Sequence, residues 1–138
     1  MAESCTGGLV GHLLTEIPGS SAWFLGGVLA YADSVKTGVL GVRPALIVEH
    51  GAVSAECVLA MAAGARRALG GEVALAVSGV AGPGGGTAAK PVGTVYIGLI
   101  GLGEPRIAHY VWMGNRTENK VPSAQAALTL LLELLERG

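Results

Sequence analysis

The chain has 138 residues, 9 Lys and Arg against 10 Asp and Glu, and a formal net charge of -1, the length of one domain with room for one core. Only 14% of its residues are charged and 51% are hydrophobic. It therefore lacks the basic surplus that phosphate-backbone binding needs and the polar excess of a disordered segment, and nucleic acid is not an expected partner. The longest uncharged stretches, 17–32 and 73–89, are broken by Gly and Pro and fall short of the roughly 18 apolar residues of a membrane span. Glu3 stands where a signal peptide would carry a positive charge. No membrane association is expected, and a cytoplasmic location is. Cys5 and Cys57 form no C-x-x-C pair and read as buried free thiols.

In chain order, Ser4 and Thr6 precede apolar residues at 9, 10, 13, 14 and 17, which predicts a capped helix over 6–16 ended by Pro18-Gly19. Residues 20–25 read as a loop or short turn. The apolar run 26–31 reads as a strand buried on both faces. Asp33 caps a short helix to about 38, and Pro44 opens another that ends at His50-Gly51. Ser54 starts a longer helix whose Val58, Met61, Ala62, Ala65 and Leu69 share one face, and Gly70-Gly71 stops it. A buried strand over 73–78 feeds the glycine-rich segment 79–87. Strands over 92–100 and 106–113 flank a tight connection at 101–105 and predict an antiparallel hairpin. A final helix over 118–136 presents Leu128, Leu131, Leu132 and Leu135 as one stripe. Alternating helices and strands predict an α/β layered sandwich, a mostly parallel mixed sheet flanked by helices, as a single domain over 1–138.

Four polar or glycine-rich segments fall at element ends, where α/β proteins place their sites: 3–8, 18–21, 31–36 and 79–93. The first is either a simple N-cap or a helix start whose free N–H groups face an anion. The glycine-rich segment has neither G-x-x-x-x-G-K-[ST] nor G-x-G-x-x-G, which argues against a P-loop and leaves a loop that either closes on a ligand or is only structural. No G-x-S-x-G or S-x-x-K motif is present. His12, His50 and His109 are widely separated and Asp33 is the only aspartate, so neither a Ser-His-Asp triad nor a metal site is expected. The remaining chemical candidates are Ser20 or Ser21 after a turn and Lys36 after an apolar strand. An exposed lysine is protonated at neutral pH, so Lys36 is either a surface cation or a base activated by its surroundings.

The blocks Glu3-Ser4-Cys5-Thr6-Gly7-Gly8, Pro18-Gly19-Ser20-Ser21-Ala22-Trp23-Phe24, Tyr31 and Lys36, His50-Gly51-Ala52-Val53-Ser54, Ser78-Gly79-Val80-Ala81-Gly82-Pro83 and Lys90-Pro91-Val92-Gly93-Thr94 together resemble the CinA C-terminal domain family, the nicotinamide-nucleotide amidases, over nearly the whole chain. The resemblance implies hydrolysis of the carboxamide of nicotinamide mononucleotide to nicotinic acid mononucleotide and ammonia, in pyridine-nucleotide salvage and without a cofactor or metal. It implies a Ser-Lys pair of Ser21 as nucleophile and Lys36 as base, with Tyr31 and Ser4 orienting the substrate or stabilising the oxyanion. Thr6, Gly7 and Gly8, the loop residues Gly82, Pro83, Gly84, Gly85 and Thr87, and Arg116 are its substrate-binding candidates. A pyridine nucleotide is the expected partner, and a homo-oligomer the expected assembly. The alternative is a domain that binds a pyridine nucleotide or other phosphate ligand without turnover. Against the family pattern, only Met1-Ala2 precedes the first block where a helix and a strand are usual, so those two elements are expected to be missing. Gly84 replaces a common Asp, and Lys120 stands where a second Arg is common.

Overall fold

The computed structural model describes residues 1–137. Its elements are β1 (Ala2–Glu3), α1 (Leu9–Thr15), a 3-10 turn (Ser20–Ala22), β2 (Val28–Leu29), α2 (Asp33–Gly38), α3 (Pro44–His50), α4 (Ala55–Leu69), β3 (Ala74–Gly79), β4 (Thr94–Gly101), β5 (Gly103–Val111) and α5 (Arg116–Arg137). The five strands form one sheet in the order β2-β1-β3-β4-β5. β1 runs parallel to both β2 and β3, and β4 is antiparallel to β3 and β5, so four strands point the same way and only β4 opposes them. The sandwich predicted from the alternation of elements is present. Helix α4 covers one face over Ala74 and Ala76, while α1 and α5 cover the other over Leu75, Val77, Val95 and Ile97. No described helix is long and apolar enough to cross a membrane.

The elements with strong local signals form where expected. The Ser54 hydroxyl accepts from Cys57 N at 3.1 Å and so caps α4, and Gly70 closes that helix at φ 69°, a left-handed position that costs a side chain-bearing residue energy. Gly64 lies in α4 directly beneath the Leu40 carbonyl, and any Cβ there would collide with it. That close approach seats the end of α2 on α4.

Five expectations change. A strand does precede the Ser4–Gly8 block, since Ala2–Glu3 pairs with Val28–Leu29 on one side and Ala76–Val77 on the other. β2 is not buried on both faces. It is a two-residue edge strand with Leu29 51% exposed, because no strand lies beyond it. α1 starts at Leu9, not 6, with Gly8 left-handed at φ 102° and no side-chain cap from its own N-cap residue. The hairpin turns more tightly than predicted, at Leu102, and Pro105 lies within β5, an edge strand that tolerates a missing N–H. On α5 the buried face is Asn119, Ser123, Ala124, Ala127 and Leu134; of the predicted stripe, Leu128 and Leu131 pack against the core partly buried, whereas Leu132 and Leu135 are exposed. Small residues at 123, 124 and 127 let the helix lie close to the sheet, which turns half of the leucine stripe toward solvent.

Candidate functional site

A cavity of about 290 Å³ opens at the carboxyl ends of β1 and β3, where parallel α/β strands deliver their loops. Each wall comes from a different segment: Ser4 and Cys5 after β1, Tyr31, Asp33 and Lys36 after β2, Ala52 and Val53 before α4, the last two residues of β3 with the loop beyond it (78–85 without Pro83), and Arg116 at the start of α5.

At its base the Lys36 side chain, 2% exposed, reaches Ser4. Its Nζ lies 3.3 Å from Ser4 Oγ, 2.9 Å from Ala30 O and 3.1 Å from Tyr31 O, and Asp33 Oδ1 lies 3.6 Å away. Two carbonyls accept two N–H bonds, so the third direction on the nitrogen points at the Ser4 hydroxyl. An ammonium donates a proton there; a neutral amine presents its lone pair, ready to take the serine's proton.

Glu3, the last residue of β1, holds Ser4 in place. Its carboxylate is 1% exposed and accepts from Thr6 Oγ1 at 2.5 Å, Val10 N at 2.9 Å and Gly11 N at 3.0 Å. The free amides of the α1 start are thus filled by the chain's own carboxylate, which leaves no opening there for an external anion. Gly7 N is also taken, by Ser4 O at 3.0 Å. Thr6, Gly7 and Gly8 accordingly do not line the cavity.

At the mouth, Arg116 donates from Nη1 to Gly82 O at 2.6 Å and from Nη2 to Tyr31 Oη at 3.1 Å, joining the glycine loop to the β2–α2 connection. The buried Asn119 fixes that loop by donating to Ala81 O at 2.9 Å and accepting from Gly114 N at 3.0 Å. Behind the opposite wall, Lys90 Nζ donates to His50 O at 2.6 Å and Ser78 Oγ to Ala52 O at 2.9 Å.

The structure therefore brings Ser4, Tyr31, Lys36, Gly82, Gly84, Gly85 and Arg116 together and leaves Pro83 and Thr87 outside. The pairing of Ser21 with Lys36 is not made within this chain. Ser21 is exposed on the 3-10 turn, whose Ala22 borders a separate apolar groove together with Met1 and Ala74. That groove lies at the start of β3 and the cavity at its end, five residue steps or roughly 16 Å apart. Sequence reasoning missed the anchoring roles of Glu3 and Asn119, because each acts across elements. Asn119 gave no local signal; Glu3 showed itself only as part of the first motif block. Among the described residues, no three His, Cys, Asp or Glu side chains converge as metal ligands would.

Cys5 and Cys57 are free and buried. Burial pushes the Cys5 thiol from its ordinary value of 9.0 up to about 12 and also raises Cys57. A raised thiol favours the protonated native form, so any stability linked to it is intact below pH 9 and declines between about pH 9 and 12, where the unfolded thiols ionise first. At pH 8 the native chain should resist iodoacetamide, with mass spectrometry finding two modified thiols only after unfolding in urea. Rapid labelling of folded protein would contradict this.

A serine hydroxyl beside a buried lysine amine, in a cleft at the strand ends of an α/β domain, is an arrangement nucleophilic catalysis can use. The CinA C-terminal domain model matches residues 1–135, and the chain belongs to that family. A CinA-like protein of Geotalea uraniireducens is 49% identical over 135 residues, covering 98% of this chain and 32% of that protein. One from Salinibacter ruber is 51% identical over 127 residues, covering 92% and 31%. The chain thus spans about a third of the length of these curated relatives. Among solved structures, the competence damage-inducible protein A (ComA) of Klebsiella pneumoniae superposes with a TM-score of 0.93 at 35% identity, covering 98% of this chain and 84% of that one. The competence/damage inducible protein CihA of Agrobacterium tumefaciens gives 0.92 at 41%, covering 96% and 82%.

Proposed function

We propose that the chain hydrolyses the carboxamide of nicotinamide mononucleotide to nicotinic acid mononucleotide and ammonia, with Ser4 as nucleophile and Lys36 as base. The observation that carries this reading is the 3.3 Å contact between Ser4 Oγ and a Lys36 amine whose other hydrogen bonds go to backbone carbonyls. Neutral Lys36 takes the Ser4 proton as Oγ attacks the carboxamide carbon. The tetrahedral intermediate collapses as Lys36 returns that proton to the departing nitrogen and ammonia leaves. Water, deprotonated by the same amine, then attacks the ester carbonyl and releases the carboxylate and Ser4. In this reading the Tyr31 hydroxyl, which accepts from Arg116, donates to the developing oxyanion.

The test is ammonia release from nicotinamide mononucleotide by the wild type, Ser4→Ala and Ser21→Ala, with product identified by chromatography. Turnover lost in Ser4→Ala by about 10³-fold or more and retained in Ser21→Ala is the expected result. Loss only in Ser21→Ala would return the nucleophile to the 3-10 turn, and no wild-type turnover would overturn the amidase reading.

A further inference from the structure

The two edges of the sheet are unequal. β2 is two residues long, whereas β5 is nine, with β4 as its only strand neighbour among the described residues. Trp112 N donates to Gly93 O at 2.9 Å. By the alternation of an antiparallel pair, Ala108, Tyr110 and Trp112 therefore turn their amides inward to β4, and Ile107, His109 and Val111 turn theirs outward. Those three N–H groups meet no acceptor among the described residues. Their side chains form a row on the α4 side of the sheet, where Ile107 is 46% and Val111 44% exposed and His109 stacks on Tyr96 with ring centroids 4.3 Å apart. An edge that is long, apolar and unpaired is a template for another strand, and Glu104, Pro105 and Arg106 interrupt only its first part.

We propose that β5 pairs antiparallel with β5 of a second copy of this chain about a two-fold axis at His109, joining the two sheets edge to edge. In that register Ile107 faces the partner's Val111 and His109 faces the partner's His109, so every outward N–H meets a carbonyl. The side chains are self-complementary on both faces. On the α4 side the Tyr96–His109 stack continues across the axis, flanked by Ile107–Val111 pairs. On the α5 side Ala108 lies opposite the partner's Tyr110, small against large, and Arg106 opposite the partner's Trp112, a cation beside an indole. Residues 107–113 include no Asp, Glu, Lys or Arg, so the two-fold brings no fixed like charges together. A register centred on Ile107 would instead set His109 against the partner's Pro105, which has no N–H to give. No residue of β5 lines the cavity, so the pairing does not depend on the amidase reading.

Analytical ultracentrifugation of the full chain at neutral pH is expected to show a monomer–dimer equilibrium with a Kd of about 10 µM, since one strand from each copy is a small interface. His109→Pro removes the N–H at the axis while leaving the β4 ladder intact, and should weaken association about 100-fold. Val111→Lys, at an exposed site, sets an ammonium against the partner's Ile107 and should weaken it about tenfold. Circular dichroism of the lysine variant should match the wild-type monomer, which separates lost pairing from lost folding. Leu29→Lys, on the opposite edge, should leave the equilibrium unchanged. Amide exchange locates the contact: Ile107, His109 and Val111 should slow as the concentration rises from about 1 to about 500 µM. A monomer at about 500 µM, a dimer unmoved by Val111→Lys, or a dimer in which those three amides stay unprotected would each overturn the proposal.

Discussion

Lys36→Met should lower kcat for nicotinamide mononucleotide hydrolysis by about 10²- to 10⁴-fold, the range that general-base catalysis supplies. Methionine fills nearly the same unbranched volume in a site only 2% exposed, so the substitution removes the nitrogen with little loss of packing. It also strips the donors from Ala30 O and Tyr31 O, at about 1–3 kcal/mol for each carbonyl left without a partner. Lys36→Arg separates the roles of charge and base: a guanidinium stays protonated, so it can hold the carbonyls yet cannot take the Ser4 proton. Ammonia release beside a thermal melt reads both. A Lys36→Met enzyme within tenfold of wild type, or an active Lys36→Arg enzyme, would remove Lys36 from the base role.

Glu3→Ala should destabilise the fold by about 3–5 kcal/mol, as expected when one buried group serves several donors. Three donors, Thr6 Oγ1, Val10 N and Gly11 N, lose their acceptor together, and two of them belong to the first turn of α1. Water reaches that position poorly, since Thr6 and Glu3 are each 1% exposed. Glu3→Gln retains one carbonyl oxygen but places an NH₂ against a donor, and should fall between alanine and wild type. Urea unfolding at neutral pH measures all three. A loss under about 1 kcal/mol in Glu3→Ala would show that solvent or a rearranged loop replaces the carboxylate.

What could be read from the sequence was local. Ser54 and Gly70 bracket α4, Pro44 opens α3, and the alternation through β4 and β5 gives the hairpin, because each signal lies within its own element. Lys36, Tyr31 and Arg116 were nameable as site residues from their place in the motif blocks or their charge. Their true partners were not. Ser4 meets Lys36 only because β1 lies beside β2, and a two-residue strand has no periodicity to announce it. The family pattern put Ser21 forward, yet nothing in the spacing of 21 and 36 encodes the length of the sheet that separates the turn from the cavity. Glu3 was hidden for a related reason: a carboxylate on a strand that caps a helix seven residues later is a tertiary contact.

The place of β1 bears on the order of folding. β4 and β5 form a hairpin that can zip from its own turn, and β3 joins it by the next connection back along the chain, whereas β1 must pair Ala2 with Ala76, more than half the chain away. Such a distant pairing carries a loop-closure cost that local hairpins avoid. Those three strands and α4 therefore make the natural nucleus, and β1 enters a slot between two strands that must already stand at the right separation. Ser4 follows directly on β1, so the serine–lysine pair is assembled by a late docking event. Amide exchange at Ser4, whose N–H bonds to Val77 O, should report openings of that slot rather than melting of the whole sheet.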